Sequence, residues 1–197
     1  SGVLCSTSFF TFARVKTGNL TLEKRTKAFA ALGSIMSEGA AGTSTGLAGR
    51  FSELAGTLHL SNPWFTPGNV RRALSAVGNA LTEENLTKWL SAYPGITEER
   101  EPLTVGVVMA GNIPMVGFHD LLCILITGNH MQARLSSKDE MLMRAVAAAL
   151  AEIEPGFGPV TEMPTGMLKG FDRVISQGSN KTSRYFEYDF MNVTSMI

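Results

Sequence analysis

Apolar positions recur along the chain in two rhythms, and the first is helical. Leu22, Phe29, Leu32 and Met36 stand at offsets 0, 7, 10 and 14, one face of a helix that follows Thr21. Residues 37 to 46, rich in Gly, Ala, Ser and Thr, read as a flexible loop. Phe51, Leu54 and Leu58 mark a shorter helix. Thr66-Pro67 sets a capping hydroxyl before a proline at the first helical position. Phe65 and Val70 are spaced as a hydrophobic staple, and Val70, Leu74, Val77 and Leu81 form the buried stripe. Thr82 repeats the signal, with Leu81 and Leu86 as the staple and Leu86, Trp89, Leu90 and Tyr93 on one face. Pro94-Gly95 ends that helix.

From Leu103 the rhythm changes. Thr104 to Met109 (TVGVVM) is a short, β-branched, nearly continuous apolar run, as in a strand buried on both faces. Met115 to Ile126 reads as a buried helix, stopped by Gly128-Asn129. His130 to Leu135 is a second strand. Ser137 and Glu140 have the spacing of a capping box, ahead of a helix with Leu142, Val146, Ala149, Leu150 and Ile153 on one face. Pro159 to Met163 is read as a third strand and Asp172 to Gln177 as a fourth, followed by Gly178-Ser179-Asn180 and a helix through Phe190. Strands separated by helices imply an α/β fold: a Rossmann-type parallel sheet of at most four strands, with helices on both faces and an unpaired edge that invites self-association. Ligands of such sheets bind at the carboxyl ends of the strands, where Gly111-Asn112, Ser136-Ser137 and Gly178-Ser179 fall.

The chain divides accordingly into an N-terminal helical region, residues 19–101, and a partial α/β domain, residues 102–197, whose strand ends suit a nucleotide-scale ligand and which the resemblance given below makes a nucleotide-binding domain. Residues 1–18 show no clear period and lack the layout of a signal peptide. They read as a poorly ordered leader or appended sequence. The last residues, Asn192 to Ile197, stop abruptly after a helical pattern, as expected of a piece of a longer protein.

Composition narrows the function. Of 197 residues, 44% are hydrophobic and 17% charged, which excludes a disordered chain. Seventeen basic residues balance seventeen acidic ones, so no global field draws nucleic acid or an anionic membrane. The apolar run Leu121 to Ile126 is far too short for a membrane span. Two cysteines, Cys5 and Cys123, make no disulfide framework, which sets a reducing cytoplasm as the default location. No standard phosphate loop, G-x-G-x-x-G, nucleophile elbow or metal-binding helix motif occurs. His59, His119 and His130 are scattered, so no metal is expected.

Three segments nevertheless carry a resemblance. TVGVVMAGNIP, residues 104–114, is similar to the aldehyde-dehydrogenase strand that ends in an asparagine, an apolar residue and a proline. GNHMQARLSS, residues 128–137, resembles that superfamily's next strand, normally followed by Lys-Pro-Ser-Glu. ISQGS, residues 175–179, looks like the following strand, ending in Gly-Ser. With NPWFTPGNVRRAL, LTEENLTKWL, LSSKD and GSNKTSRYFEYDF, the stretch from Leu20 to Phe190 resembles the luminescence-type long-chain fatty acyl-CoA reductases of that superfamily.

The resemblance implies NADPH-dependent reduction of a fatty acyl-CoA or acyl-carrier-protein thioester to the aldehyde, through an acyl-enzyme on a cysteine beyond residue 197. It also implies a homo-oligomer or a subunit of a fatty-acid reductase complex. Asn112 matches the oxyanion asparagine, whose amide N–H stabilises the charge that develops as cysteine attacks. A plain Gly-Asn turn is the other reading of the same residues. Arg134 stands at the lysine that touches the adenosine ribose, and Ser137 at the usual glutamate. With Ser136 and Lys138 they would accept the 2′-phosphate that a glutamate repels. Ser137 also serves as an N-cap, and Lys138 is also accounted for as a solvated charge. Gly178 and Ser179 match the turn that approaches the pyrophosphate, or simply turn the chain. His119-Asp120 is either an acid–base pair or a hydrogen-bonded histidine at a helix start. Cys123 does not match the nucleophile and is assigned to the core, as are Trp64, Trp89, Tyr185 and Phe186. The competing class is a noncatalytic nucleotide-binding or interaction module.

Overall fold

Thr21 opens the first helix, α1 (Leu22–Ala40), by accepting a hydrogen bond from the Lys24 amide at 3.3 Å. This satisfies one of the free N–H groups of a helix start. The computed structural model describes residues 20–43, 45–98 and 100–177, with the backbone of Ser195 and Met196. The expectations for residues 1–18, for Gly178 and Ser179, for the helix through Phe190 and for Tyr185 and Phe186 lie outside those residues.

The stripe expected on α1 is buried: Phe29, Leu32 and Met36 are fully covered and Leu22 partly so. Each such burial is worth about 1.5–3 kcal/mol. The helix does not stop there. It runs through Ala40, and α2 (Gly46–Thr57) begins at Gly46, so the loop expected over residues 37 to 46 shrinks to residues 41 to 45. The small residues serve packing instead. A Cβ on Gly39 would stand 2.7 Å from Phe51 Cβ and 2.8 Å from the Ala48 carbonyl, so glycine lets the two helices touch.

Thr66 and Thr82 cap α3 (Pro67–Ala80) and α4 (Glu83–Leu90), accepting from the amides of Asn69 and Asn85. Val70, Leu74, Leu81, Leu86 and Leu90 are buried. Two aromatic expectations fail. Trp64 is 79% exposed and Tyr93 55%. The Trp64 backbone is held by Asn62, which accepts from its N–H, and by Asn69, which donates to its carbonyl, leaving the indole outside. Tyr93 meets Trp89 edge-on at 6.3 Å instead of the core. Helices α1 and α3 cross on two glycines: a Cβ on Gly78 would meet Ser37 Oγ at 2.3 Å and the Gly33 carbonyl at 2.6 Å.

The strands are β1 (Thr104–Val108), β2 (His130–Arg134), β3 (Thr161–Glu162), β4 (Arg173–Ser176) and β5 (Ser195–Met196). They form a parallel sheet of order β3-β2-β1-β4-β5. The fifth, two-residue strand exceeds the expected four. The third is shorter than expected because Pro155–Val160 winds into a 3-10 helix that buries Phe157 and Val160. Between strands lie α5 (Phe118–Ile126) and α6 (Glu140–Ile153). Helix α5 ends as expected. Gly128, at φ +86°, and Asn129 return their N–H groups to the carbonyls of Leu125 and Ile124, closing a Schellman stop. The capping box of Ser137 and Glu140 does not form. Helix α6 starts at Glu140 after Asp139, and the Asp139 side chain does not cap it.

Alternation along the strands splits the sheet into two faces. Val105, Val107, Met131 and Ala133 join a core that also takes α1, α5 and α6 and is continuous from Leu20 to Val160. Gly106 shares a row with Gln132 and Val174 on the other face. There Phe171 and Leu168 lie over Gly106, 3.1 and 3.3 Å from the position of a Cβ. Among the described residues, then, helices cover one face and the segment 163–172 lies on the other, where helices had been expected on both. The cause is topological. Strands β3 and β4 are not neighbours, and the chain crosses back over β2 and β1 without forming a helix. Arg25 of α1 ties the layers together, donating to the Ile126 carbonyl at the end of α5 at 2.8 Å and to the Leu20 carbonyl.

Candidate functional site

The order β3-β2-β1-β4-β5 places a topological switch point between β1 and β4, because the strand that follows β1 in the chain lies on one side of the pair and the strand that follows β4 lies on the other. Open α/β sheets bind ligands in the crevice that this creates. The loop of residues 110–117 joins β1 to α5 at this edge.

That loop is gripped from two sides. Gln177, just past β4, accepts from the Ala110 amide at 3.2 Å and donates to the Val116 carbonyl at 3.3 Å. Asp139, just before α6, accepts from the Met115 amide at 2.8 Å on Oδ2. Met115 has φ +63°, the one positive value among the described non-glycine residues. Such a backbone costs on the order of 1–3 kcal/mol and persists only where its surroundings hold it. The same turn explains why α5 starts at Phe118 rather than Met115: the Met115 carbonyl accepts from the Phe118 amide at 3.0 Å.

The loops after β1 and β2 touch. A Cβ on Gly111 would meet Ser136 Oγ at 2.5 Å and Ser136 Cβ at 2.6 Å, so only glycine permits the approach. Asn112, next in the chain, is exposed at this edge. Arg134 ends β2, exposed and in register with Val108. The Ser136 carbonyl accepts from the Asp139 amide at 3.0 Å, and its hydroxyl from the Lys138 amide at 3.4 Å. Ser137 and Lys138 are exposed, and the Lys138 carbonyl accepts from the Asn62 side chain at 3.3 Å. Asn112, Arg134, Ser136, Ser137 and Lys138 thus lie on adjoining segments of one sheet edge.

The titrating groups around the loop lie behind this surface. Asp139 is 2% exposed, and its Oδ1 has no hydrogen-bond partner. Burial pushes its carboxyl up to about 7, against the smaller opposing effect of the Met115 amide. Burial also raises Asp120, opposed by the His119 charge and a bond from Gln177. His119 is exposed, 3.5 Å from the Cys123 sulfur. Cys123 is half-buried rather than a core residue, and burial together with Asp120 raises its thiol. Such a thiol is a poor nucleophile. Sequence reasoning missed Asp139 and Gln177. Their partners lie 24 and 61–67 positions away, so no local pattern marks them.

A cavity of about 1210 Å³ opens at the opposite edge, lined by Leu20, Arg25, Trp89, Tyr93, Leu103 and Asn129 among others. It faces the amino ends of β1 and β2 and contains none of the expected site residues. Among the described residues, no group of three His, Cys, Asp or Glu side chains is placed to hold a metal ion, and no helix is long and apolar enough to cross a membrane. The sequence matches no protein-family model, and no curated protein matches it.

Proposed function

We propose that the chain holds the cofactor-binding part of an NADPH-dependent long-chain acyl-thioester reductase. The substrate class is fatty acyl-CoA or acyl-carrier protein, reduced through a cysteine acyl-enzyme. The observation that carries this reading is the contact of Gly111 with Ser136. It sets the Asn112 loop beside the segment Arg134–Lys138 at the carboxyl edge of a parallel sheet.

The donors suit a 2′-phosphate. Arg134 offers a guanidinium, Ser136 and Ser137 hydroxyls, and Lys138 an ammonium. The two nearby carboxyls are engaged elsewhere: Glu140 pairs with Arg144 at 2.8 Å, and Asp139 is buried against the Met115 amide. Bound NADPH supplies a hydride. The chain's own residues position it and stabilise charge: Arg134, Ser137 and Lys138 take the phosphate, and Gly178-Ser179 the pyrophosphate. Asn112 then donates to the thioester oxygen as it gains charge.

Titration of the chain with NADPH and NADH, followed by nucleotide fluorescence, tests the cofactor half. NADPH should bind more tightly, and Arg134→Ala should narrow the preference roughly ten- to a hundredfold, the worth of one charge-assisted contact of about 1.5–3 kcal/mol. In a protein that also carries the nucleophile, Asn112→Ala should slow acyl-enzyme formation on the order of 10²–10³, with NADPH affinity unchanged. Equal affinity for both nucleotides, or none for either, would sink the reading.

A further inference from the structure

The β1–α5 loop is fixed through its backbone, by side chains that belong to other elements. We propose that Asp139 is a positioning residue for this loop: its buried carboxyl, bonded to the Met115 amide, holds the chain in the left-handed turn that presents Asn112. That Asn112 is the group presented rests on the functional reading above. The clamp itself rests on the geometry alone.

Three observations converge. Met115 occupies a backbone region that non-glycine side chains rarely adopt, and its N–H has one partner, Asp139 Oδ2 at 2.8 Å. Asp139 does not cap its own helix, although it stands at the N-cap position where a carboxylate normally would. It binds the neighbouring loop instead. The Asp139 amide also binds the Ser136 carbonyl and lies 3.3 Å from the position of a Gly111 Cβ, so the residue sits where the two loops meet. Gln177 is the opposite jaw, holding Ala110 and Val116.

The carboxyl makes this jaw responsive to protons. The loop facing it, residues 110–117, contains no titratable side chain. On its own element Lys138 is exposed and Glu140 is paired with Arg144. At the start of α5 stand the exposed His119 and the half-buried Asp120. The causes that set Asp139's titration are burial first and the Met115 amide second. An open loop would expose the carboxyl to water and return it toward its ordinary value. The closed state therefore binds the proton more tightly than the open one, and rising pH favours opening until the closed-state value near 7 is passed.

Amide hydrogen exchange on the chain, corrected for intrinsic rates, reads this directly. In the wild type the opening of residues 110–117 should rise several-fold per pH unit from about pH 5 to about pH 7, with about tenfold per unit as the ceiling. Asp139→Asn keeps an acceptor for the Met115 amide without a titrating proton, so it should hold the loop protected with no such pH dependence. Asp139→Ala should expose the loop at every pH, as should Gln177→Ala, which leaves the pH-dependent part in place. Protection in α3 reports that each variant is folded. A folded Asp139→Ala variant with wild-type protection of the loop overturns the proposal, as does a pH dependence that survives in Asp139→Asn. None of these readouts requires acyl-thioester reduction, so loss of the functional reading would leave the clamp standing.

Discussion

Asp139 is an acid kept from water by its neighbours, and this has a thermodynamic sign. Its carboxyl ionises near 7 in the folded chain and near the ordinary 3.8 when unfolded. The unfolded state therefore gives up the proton first as pH rises. The stability that Asp139 contributes is complete below about pH 4, falls through the interval, and is gone above about pH 7. Each pH unit of that interval is worth about 1.36 kcal/mol, which sets a ceiling of about 4 kcal/mol. Asp139→Asn, neutral throughout, should gain on the wild type as pH rises, by about 2–4 kcal/mol at about pH 8, with little difference near pH 4. Urea midpoints of both proteins across that range test the claim, and two parallel curves would refute it. The residue also shows where sequence reading stops. Ser137 and Glu140 have the spacing of a capping box, whereas Asp139 is drawn away from capping by an amide 24 positions upstream. A local pattern cannot register a partner that only the sheet topology supplies.

At the scale of elements, local signals were sufficient wherever the deciding contact is itself local. Thr21, Thr66 and Thr82 cap their helices through amides three residues ahead. Gly128-Asn129 closes α5 within its own last turn. The strand TVGVV is central and buried because its composition leaves no polar face. Glycine misled at Gly39, where absence of a side chain signals close helix packing rather than a loop. Gly33 and Gly78 do the same for α1 and α3. Gly78→Ala should therefore cost about 1–3 kcal/mol through overpacking, although alanine is the better helix former by about 1 kcal/mol. Thermal melting decides which effect wins. A variant as stable as the wild type, or more so, would show that the helices part without cost.

Across the whole molecule, the carboxyl edge holds Asn112, Arg134, Ser136, Ser137 and Lys138 on a fold whose sheet order was not foreseen in full. The sequence pattern reached the parallel alternation. The return of the chain over β1 and β2, and the side chains that grip residues 110–117 from β4 and α6, depend on contacts distant in sequence. One such contact joins the halves of the chain. Arg25 is a half-buried cation at the carboxyl end of α5, where the helix dipole favours it, and burial lowers its pKa below that of a solvated guanidinium. Arg25→Ala should destabilise the fold by about 1.5–3 kcal/mol, the worth of a hydrogen bond to a charged group. Urea unfolding followed by tryptophan fluorescence and by far-ultraviolet circular dichroism should give coincident, earlier transitions. An unshifted midpoint would show that water replaces the guanidinium at no cost.

The same contact sets a waiting time in synthesis. Arg25 and the Ile126 carbonyl are 101 residues apart. At about 5–20 residues per second, the ribosome needs about 5–20 s to make the second after the first. Helix α1 thus leaves the ribosome with its cation and its stripe of Phe29, Leu32 and Met36 long before α5 and Phe157, which packs edge-on against Phe29 at 5.6 Å, have been synthesised. Through that interval α2 to α4 are the cover it has. A nascent chain stalled anywhere before Ile126 presents the quality-control machinery with a helical layer whose sheet does not yet exist.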